Sequence, residues 1–254
     1  MDWAEVTLFL MVLARMSGFV LFNPLFGRQN IPGIVKSGFI LLLSFSVFFA
    51  ANQTVAVPDS MLVLGVHLLL ELFIGYFVGL VMQLFFYIPS LGGELIDVQM
   101  GMSMGRTYDP SSQSSTTVTA SLLNALMMML FFAANGHYTL LRILLASGDV
   151  VPFGQAAVGQ DLYWSLGELF IECTVMAIKL CMPILAAELL GQVGLGILMK
   201  VIPQINVFAI NIELKVIIGL GLLLALLTPI SEYLLRAENQ MLVTVQRVLA
   251  GMAG

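Results

Sequence analysis

Ile88–Thr119 reads IPSLGGELIDVQMGMSMGRTYDPSSQSSTTVT, and it is the longest polar departure in an otherwise apolar chain. Pro89 and the pair Gly92-Gly93 predict an end to the apolar run that reaches Tyr87, because proline removes a helix hydrogen bond and glycine loosens the backbone. A short segment of mixed character follows, Glu94 to Met104, with Met100, Gly101, Met102 and Met104 close together. A loop is expected from Gly105 to Ser115, since Gly, Asp-Pro and clustered Ser are turn signals. On both sides the chain returns to long apolar runs. The stretch is then either an ordinary solvent-exposed connector or a polar moving part held between apolar helices.

Composition sets the frame for that choice. Of the 254 residues, 59% are hydrophobic and only 10% are charged, against roughly 25% charged in soluble domains. Mean hydropathy is +1.01. No soluble core hides so much apolar surface, so the solvent is lipid or a large protein assembly. The net charge of −5, with no basic run, argues against nucleic-acid binding. Cys173 and Cys181 stand eight apart in an apolar helical run, about 12 Å along a helix, too far for a disulfide. They read as small buried hydrophobes. His67 and His137 stand alone, outside any cluster of Cys, His and carboxylates that would hold a metal, and no phosphate-binding glycine loop or nucleophile elbow occurs. The expectation is a non-enzymatic, all-α, integral-membrane-type protein without metal or cofactor. Asp2 and Glu5 stand where a cleavable signal peptide needs basic residues, so the first apolar segment is expected to be retained.

Taken in order, Trp3–Phe22 is long enough to span a membrane and carries Arg15. A buried Arg needs a partner, and Glu5 is too far along the same helix, so the partner must come from another segment. Asn23-Pro24 ends this helix. The second segment is Ile34–Ala51 and the third Met61–Tyr87. In the third, His67 and Glu71 share a face at i, i+4. They are either a proton-sensitive pair or a structural polar pair in a helix contact. Gly75 and Gly79 permit close backbone approach there. Val118–Ala134 forms the fourth segment, stopped by Asn135-Gly136. A short amphipathic helix, Tyr138–Ala146, and a polar connector, Ser147–Gln160, come next. The fifth segment, Asp161–Met199, should kink at Pro183 and carries Lys179 and Glu188 in its apolar run. A break is expected at Pro203. The sixth segment is Val207–Thr228, with Glu213 and Lys215, followed by a kink at Pro229 and an amphipathic tail. Basic residues place the first connector and the Lys200 region inside, giving six spans with both termini outside. The ionisable groups within the apolar runs fit that picture poorly and point to helices that face protein instead of lipid.

The string GGELIDVQMGMSMGRTYDP at Gly92–Pro110 resembles the signature of the FliR/SctT family, the export-gate subunit of flagellar and virulence type III secretion systems. ARMSGFVLFNPLFGRQNIPGIVK at Ala14–Lys36, FFAANGHYTLL at Phe131–Leu141 and PQINVFAINIELK at Pro203–Lys215 are similar to that family in the same order. The flagellar branch is the nearer likeness, and the virulence branch is the alternative. The resemblance implies a core subunit of an export gate in the bacterial inner membrane at the flagellar basal body. In that family one copy joins several copies of FliP and FliQ around a pore for unfolded proteins. FlhB lies at the cytoplasmic entrance and FlhA forms the larger cytosolic part. The assembly is partly lifted toward the periplasm. Residues 1–155 would be FliP-like and 156–254 a FliQ-like kinked helical hairpin. The family's loop at 101–115 plugs the pore, which implies Met102, Met104 and Tyr108 as plugging side chains. Gly101 and Gly105 would be hinges, with Arg106 beside them. Methionine is flexible enough to seal around changing shapes, and an apolar constriction blocks ions by dewetting. Arg15, His67, Glu71, Lys179, Glu188, Glu213 and Lys215 are candidate ion-pair or polar partners. The rival reading is a proton-coupled secondary transporter, with His67, Glu71 and Lys179 as a relay and broken helices at Pro183 and Pro203.

Overall fold

The computed structural model describes residues 2–28, 31–51, 53, 55–58, 60–102, 107–109, 114–155, 160–201 and 207–252. Helices dominate: α1 Trp3–Phe22, α2 Gly33–Ala50, α3 Met61–Met100, α4 Val118–Ala133, α5 Gly136–Leu145, α6 Ser147–Val150, α7 Gln160–Val201, α8 Val207–Ala225 and α9 Leu227–Gly251. Two three-residue strands, β1 Thr107–Asp109 and β2 Ser114–Thr116, pair antiparallel with Thr107 opposite Thr116. The chain is thus all-α and of membrane type. Among the described residues four helices are long and apolar enough to cross a bilayer. The number rises to six if α4 with α5 and α8 with α9 each form one broken span.

Several helix ends follow local chemistry. α1 stops at Asn23, ahead of Pro24. Asn135 adopts the left-handed conformation, φ 59°, between α4 and α5, a conformation Asn tolerates better than most residues. α8 ends at Ala225, four residues before Pro229, where the proline ring would clash with a helical carbonyl. Other expectations need correction. α3 does not end at Tyr87: it continues through Pro89 and Gly92-Gly93 to Met100. The expected polar connector after Ala146 contains a helical turn, α6, and the loop before α4 contains the β1–β2 pair. The kink expected at Pro183 is not a break: α7 keeps that proline inside its span Gln160–Val201. The expected break at Pro203 lies outside the described residues.

The chain packs as two compact units. The first comprises residues 1–85, 135–170 and 238–254, and the second residues 86–134 and 171–237. In the first, α1 and α3 meet backbone to backbone. A methyl added at Gly18 would overlap the Leu72 carbonyl oxygen, one at Gly75 the Arg15 carbonyl oxygen, and one at Gly79 would reach Phe22. Met11, Val12, Met16, Phe19, Ile74, Val78, Val81 and Met82 fill the surrounding core. α2 lies against α1 through Phe9, whose ring centroid is 5.1 Å from Phe45 and 5.7 Å from Phe48. Only Leu43, Ser44 and Val47 of α2 are buried. At 18 residues α2 is 27 Å long by the ordinary rise, ~1.5 Å per residue.

In the second unit the glycine pair explains why α3 continues. A methyl on Gly93 would collide with the backbone of Ala120 in α4, and one on Gly92 would sit 3.0 Å from Leu180 of α7. Here glycine serves close approach rather than a break. Ile88, Ile96 and Met100 are fully buried along this part of α3.

Candidate functional site

Close contact of α1 with α3 puts Arg15 beside Glu71. Arg15 Nε donates to Glu71 Oε2 at 2.6 Å, with both side chains almost wholly buried. The other guanidinium nitrogens reach the segment after α5. Nη1 donates to the Ser147 carbonyl at 3.0 Å and Nη2 to the Val151 carbonyl at 3.0 Å. The Phe153 ring lies 4.1 Å from the guanidinium carbon. Glu71 Oε1 accepts the Gly154 main-chain N–H at 2.9 Å. One ion pair therefore ties α1, α3 and residues 147–154 together. A buried Arg is tolerable only with its charge compensated and its donors satisfied, and this one has both. Gln53 adds a second tie, donating to the Gly148 carbonyl at 2.6 Å. His67 is not the partner of Glu71: its Nδ1 is buried and without a hydrogen bond.

The second unit holds the roots of the central loop. Asp97, fully buried near the end of α3, accepts the Thr119 N–H at 2.8 Å and the Thr119 hydroxyl at 2.5 Å. Thr119 lies in the first turn of α4. Asp97 thus caps a helix other than its own, where a negative charge also suits the helix dipole. Further along the same two helices Asn124 donates to the Ser90 hydroxyl at 2.7 Å. On the other side of the loop root, Met100 sits on bare Gly219 of α8. A methyl at Gly219 would stand 2.5–2.7 Å from three Met100 side-chain atoms. Gly101 has φ +80°, a left-handed turn that glycine makes without penalty. Chain departure at Gly101 and return at Thr117 are therefore held close together by a buried clamp.

Of the residues singled out in the loop, Gly101 makes this turn and Met102 follows it, half-buried. Tyr108 belongs to β1. Met104, Gly105 and Arg106 lie outside the described residues. Among the ionisable candidates, Lys179 and Glu213 are exposed. Lys215 Nζ reaches Gln192 Oε1 of α7 at 3.4 Å. Glu188, one turn before Gln192, is buried, and its Oε1 has no hydrogen bond. Two features escaped sequence reading. Asp97 gave no local sign of its capping role. Glu238, in the amphipathic tail, is buried with both carboxylate oxygens unpartnered. Its helical register could have shown this, since Leu234, Ala237, Met241 and Val245 on the same face are all buried.

The model of the bacterial export proteins, family 1, matches residues 6–241. The chain belongs to that family. Flagellar biosynthetic protein FliR of Bacillus subtilis is 27% identical over 214 residues, covering 82% of this chain and 81% of its own length. The FliR proteins of Caulobacter vibrioides and Escherichia coli are each 26% identical, covering 82% of this chain and 83% and 80% of their own lengths. Family membership and the long apolar helices together make this a multi-pass membrane protein of a bacterial export system.

Proposed function

We propose that this chain is the FliR-type subunit of a flagellar type III secretion export gate, and that it has no catalytic role. The observation that carries this reading is the family match over residues 6–241, with FliR relatives covering about four fifths of both lengths. In this reading the chain joins several copies of FliP and FliQ around a pore for unfolded flagellar proteins. FlhB and FlhA are its further partners, at the inner membrane of the basal body. Residues 1–155 are its FliP-like part and 156–254 its FliQ-like part. The segment 101–115 closes the pore, with Met102, Met104 and Tyr108 as sealing side chains. The clamped roots support that role. A loop anchored by Asp97–Thr119 and by Met100 on Gly219 can change its own conformation without unravelling α3 or α4.

A tagged chain extracted from membranes in mild detergent should co-purify with several copies of two small apolar proteins, counted by native mass spectrometry. A lone chain that transports a solute in liposomes would refute the gate. Deleting part of Gly105–Ser115 should leave that assembly intact and raise ion leak across the membrane. A shortened protein as tight as the parent refutes the closure.

A further inference from the structure

The buried carboxylates of the chain differ in how they are answered. Glu71 pairs with Arg15, and Asp97 takes two hydrogen bonds from Thr119. Glu188 leaves one oxygen without a bond, and Glu238 leaves both. Glu238 is 2% exposed and lies on the buried face of α9 with Leu234, Ala237, Met241 and Val245. The opposite face is ionic. Glu232 and Arg236 pair there at 3.7 Å with side chains 62% and 78% exposed, and Arg247 is exposed as well. Among the described residues no Lys, Arg or His comes within 4.0 Å of the Glu238 carboxylate. α9 is held to α7 by the Tyr233 hydroxyl, which donates to the Met176 carbonyl at 3.1 Å. The titratable groups of α7 on either side of that contact are Glu168, Glu172 and Lys179, all exposed, and the buried thiol of Cys173. Elsewhere in the first unit Arg15 is spent on Glu71, Arg142 is exposed, and His67 and His137 make no ion pair with Glu238. Burial, and no neighbouring charge among the described residues, therefore sets the state of this carboxyl. In such a place an ionised carboxylate costs far more than the neutral acid.

We infer that Glu238 is a proton-binding site: it holds a proton while α9 is docked, and its ionisation releases the segment from Glu238 to Met252. Met241, Val245, Val248, Leu249 and Met252 grip that segment through apolar contacts. A charge set among them either takes up a proton or draws the segment out to water. The end of α9 thus has two states, docked with a neutral acid and released with a hydrated carboxylate, and proton concentration divides them. The released segment gives up the proton above the ordinary Glu value, about 4.3, whereas the docked one keeps it to higher pH. Docking is then fully present below that value. It weakens as pH rises, by about tenfold in the docking equilibrium per pH unit, until the docked group itself ionises. This inference depends neither on the gate nor on the central loop.

The test uses the full chain as extracted from membranes in mild detergent, with whatever subunits accompany it. Infrared spectra at neutral pH are compared between the parent and Glu238→Gln. The parent should show an additional carbonyl stretch of a neutral carboxylic acid that shifts in heavy water. Its absence overturns the site. Amide exchange of residues 238–252 is then measured at matched pH in both proteins, so that the intrinsic pH dependence of exchange cancels. The ratio of parent to variant rates should grow at least about tenfold between about pH 5 and pH 7. A constant ratio overturns the release. Glu238→Leu guards against a packing fault in the Gln variant and should be equally insensitive to pH. A parent whose tail opens with pH no more than that of either variant overturns the inference and leaves the gate standing.

Discussion

Neutralising Glu71 isolates the energetics of the buried lock. Glu71→Gln keeps the side-chain shape and can still accept the Gly154 N–H, but it leaves the guanidinium of Arg15 buried without a counter-charge. Both side chains are at most 2% exposed, so water cannot take over. Breaking such a pair costs about 3–5 kcal/mol. Arg15→Met leaves the carboxylate uncompensated and strips the Val151 carbonyl of its donor, while the Ser147 carbonyl keeps the Val151 N–H. The loss should be at least as large, since each orphaned buried group costs about 1–3 kcal/mol. Combining Arg15→Met with Glu71→Leu removes both charges at once. What remains is the orphaning of the Val151 carbonyl and of the Gly154 N–H, about 2–6 kcal/mol together, with some return from the added apolar packing. The double variant should therefore be about as stable as either single one, far from the sum of the two. The assay is denaturant-induced unfolding of the detergent-solubilised protein, followed by helical circular dichroism, with steady-state membrane level as a second readout. Additive losses, or a Glu71→Gln protein within about 1 kcal/mol of the parent, would refute the assignment of a single buried lock.

Three further outcomes follow from other contacts. Gly75→Ala should destabilise the first unit by at least about 2 kcal/mol, because the new methyl meets the Arg15 main chain and not a movable side chain. Gly65→Ala in the same helix meets nothing within 4 Å and should stabilise by about 0.5–1 kcal/mol; equal effects at the two sites in thermal unfolding would contradict the α1–α3 packing. Gly219→Ala should displace Met100 and open the loop root to protease, and Met100→Ala in the same chain should restore at least half of the lost protection. No rescue would mean that the two residues do not touch. Asp97→Ala removes the cap of α4 and should cost about 1–2 kcal/mol, with Asp97→Asn intermediate; rates of limited proteolysis between Gly101 and Thr117 report it, and unchanged rates would deny the clamp.

The amino-acid sequence alone determined the solvent and most helix ends. An apolar content of 59% with 10% charge excludes a soluble core whatever the topology, because burial is proportional to area. Asn23-Pro24, Asn135 and Pro229 act on their own backbone or on a carbonyl four residues away, so their effects are legible locally. Tertiary structure decided the rest. Gly92-Gly93 is compatible with a break or with close packing, and Ala120 and Leu180 on the facing helices select packing. A buried Arg15 demanded an anion, but the choice of Glu71, 56 residues away, depends on which faces of α1 and α3 meet. Asp97 and Glu238 look alike in sequence as helical carboxylates with no partner in view. Asp97 finds two donors on Thr119, while Glu238 finds none. Local propensity acts over one or two turns, whereas the partner of a buried polar group is set by contacts that no short window of sequence contains.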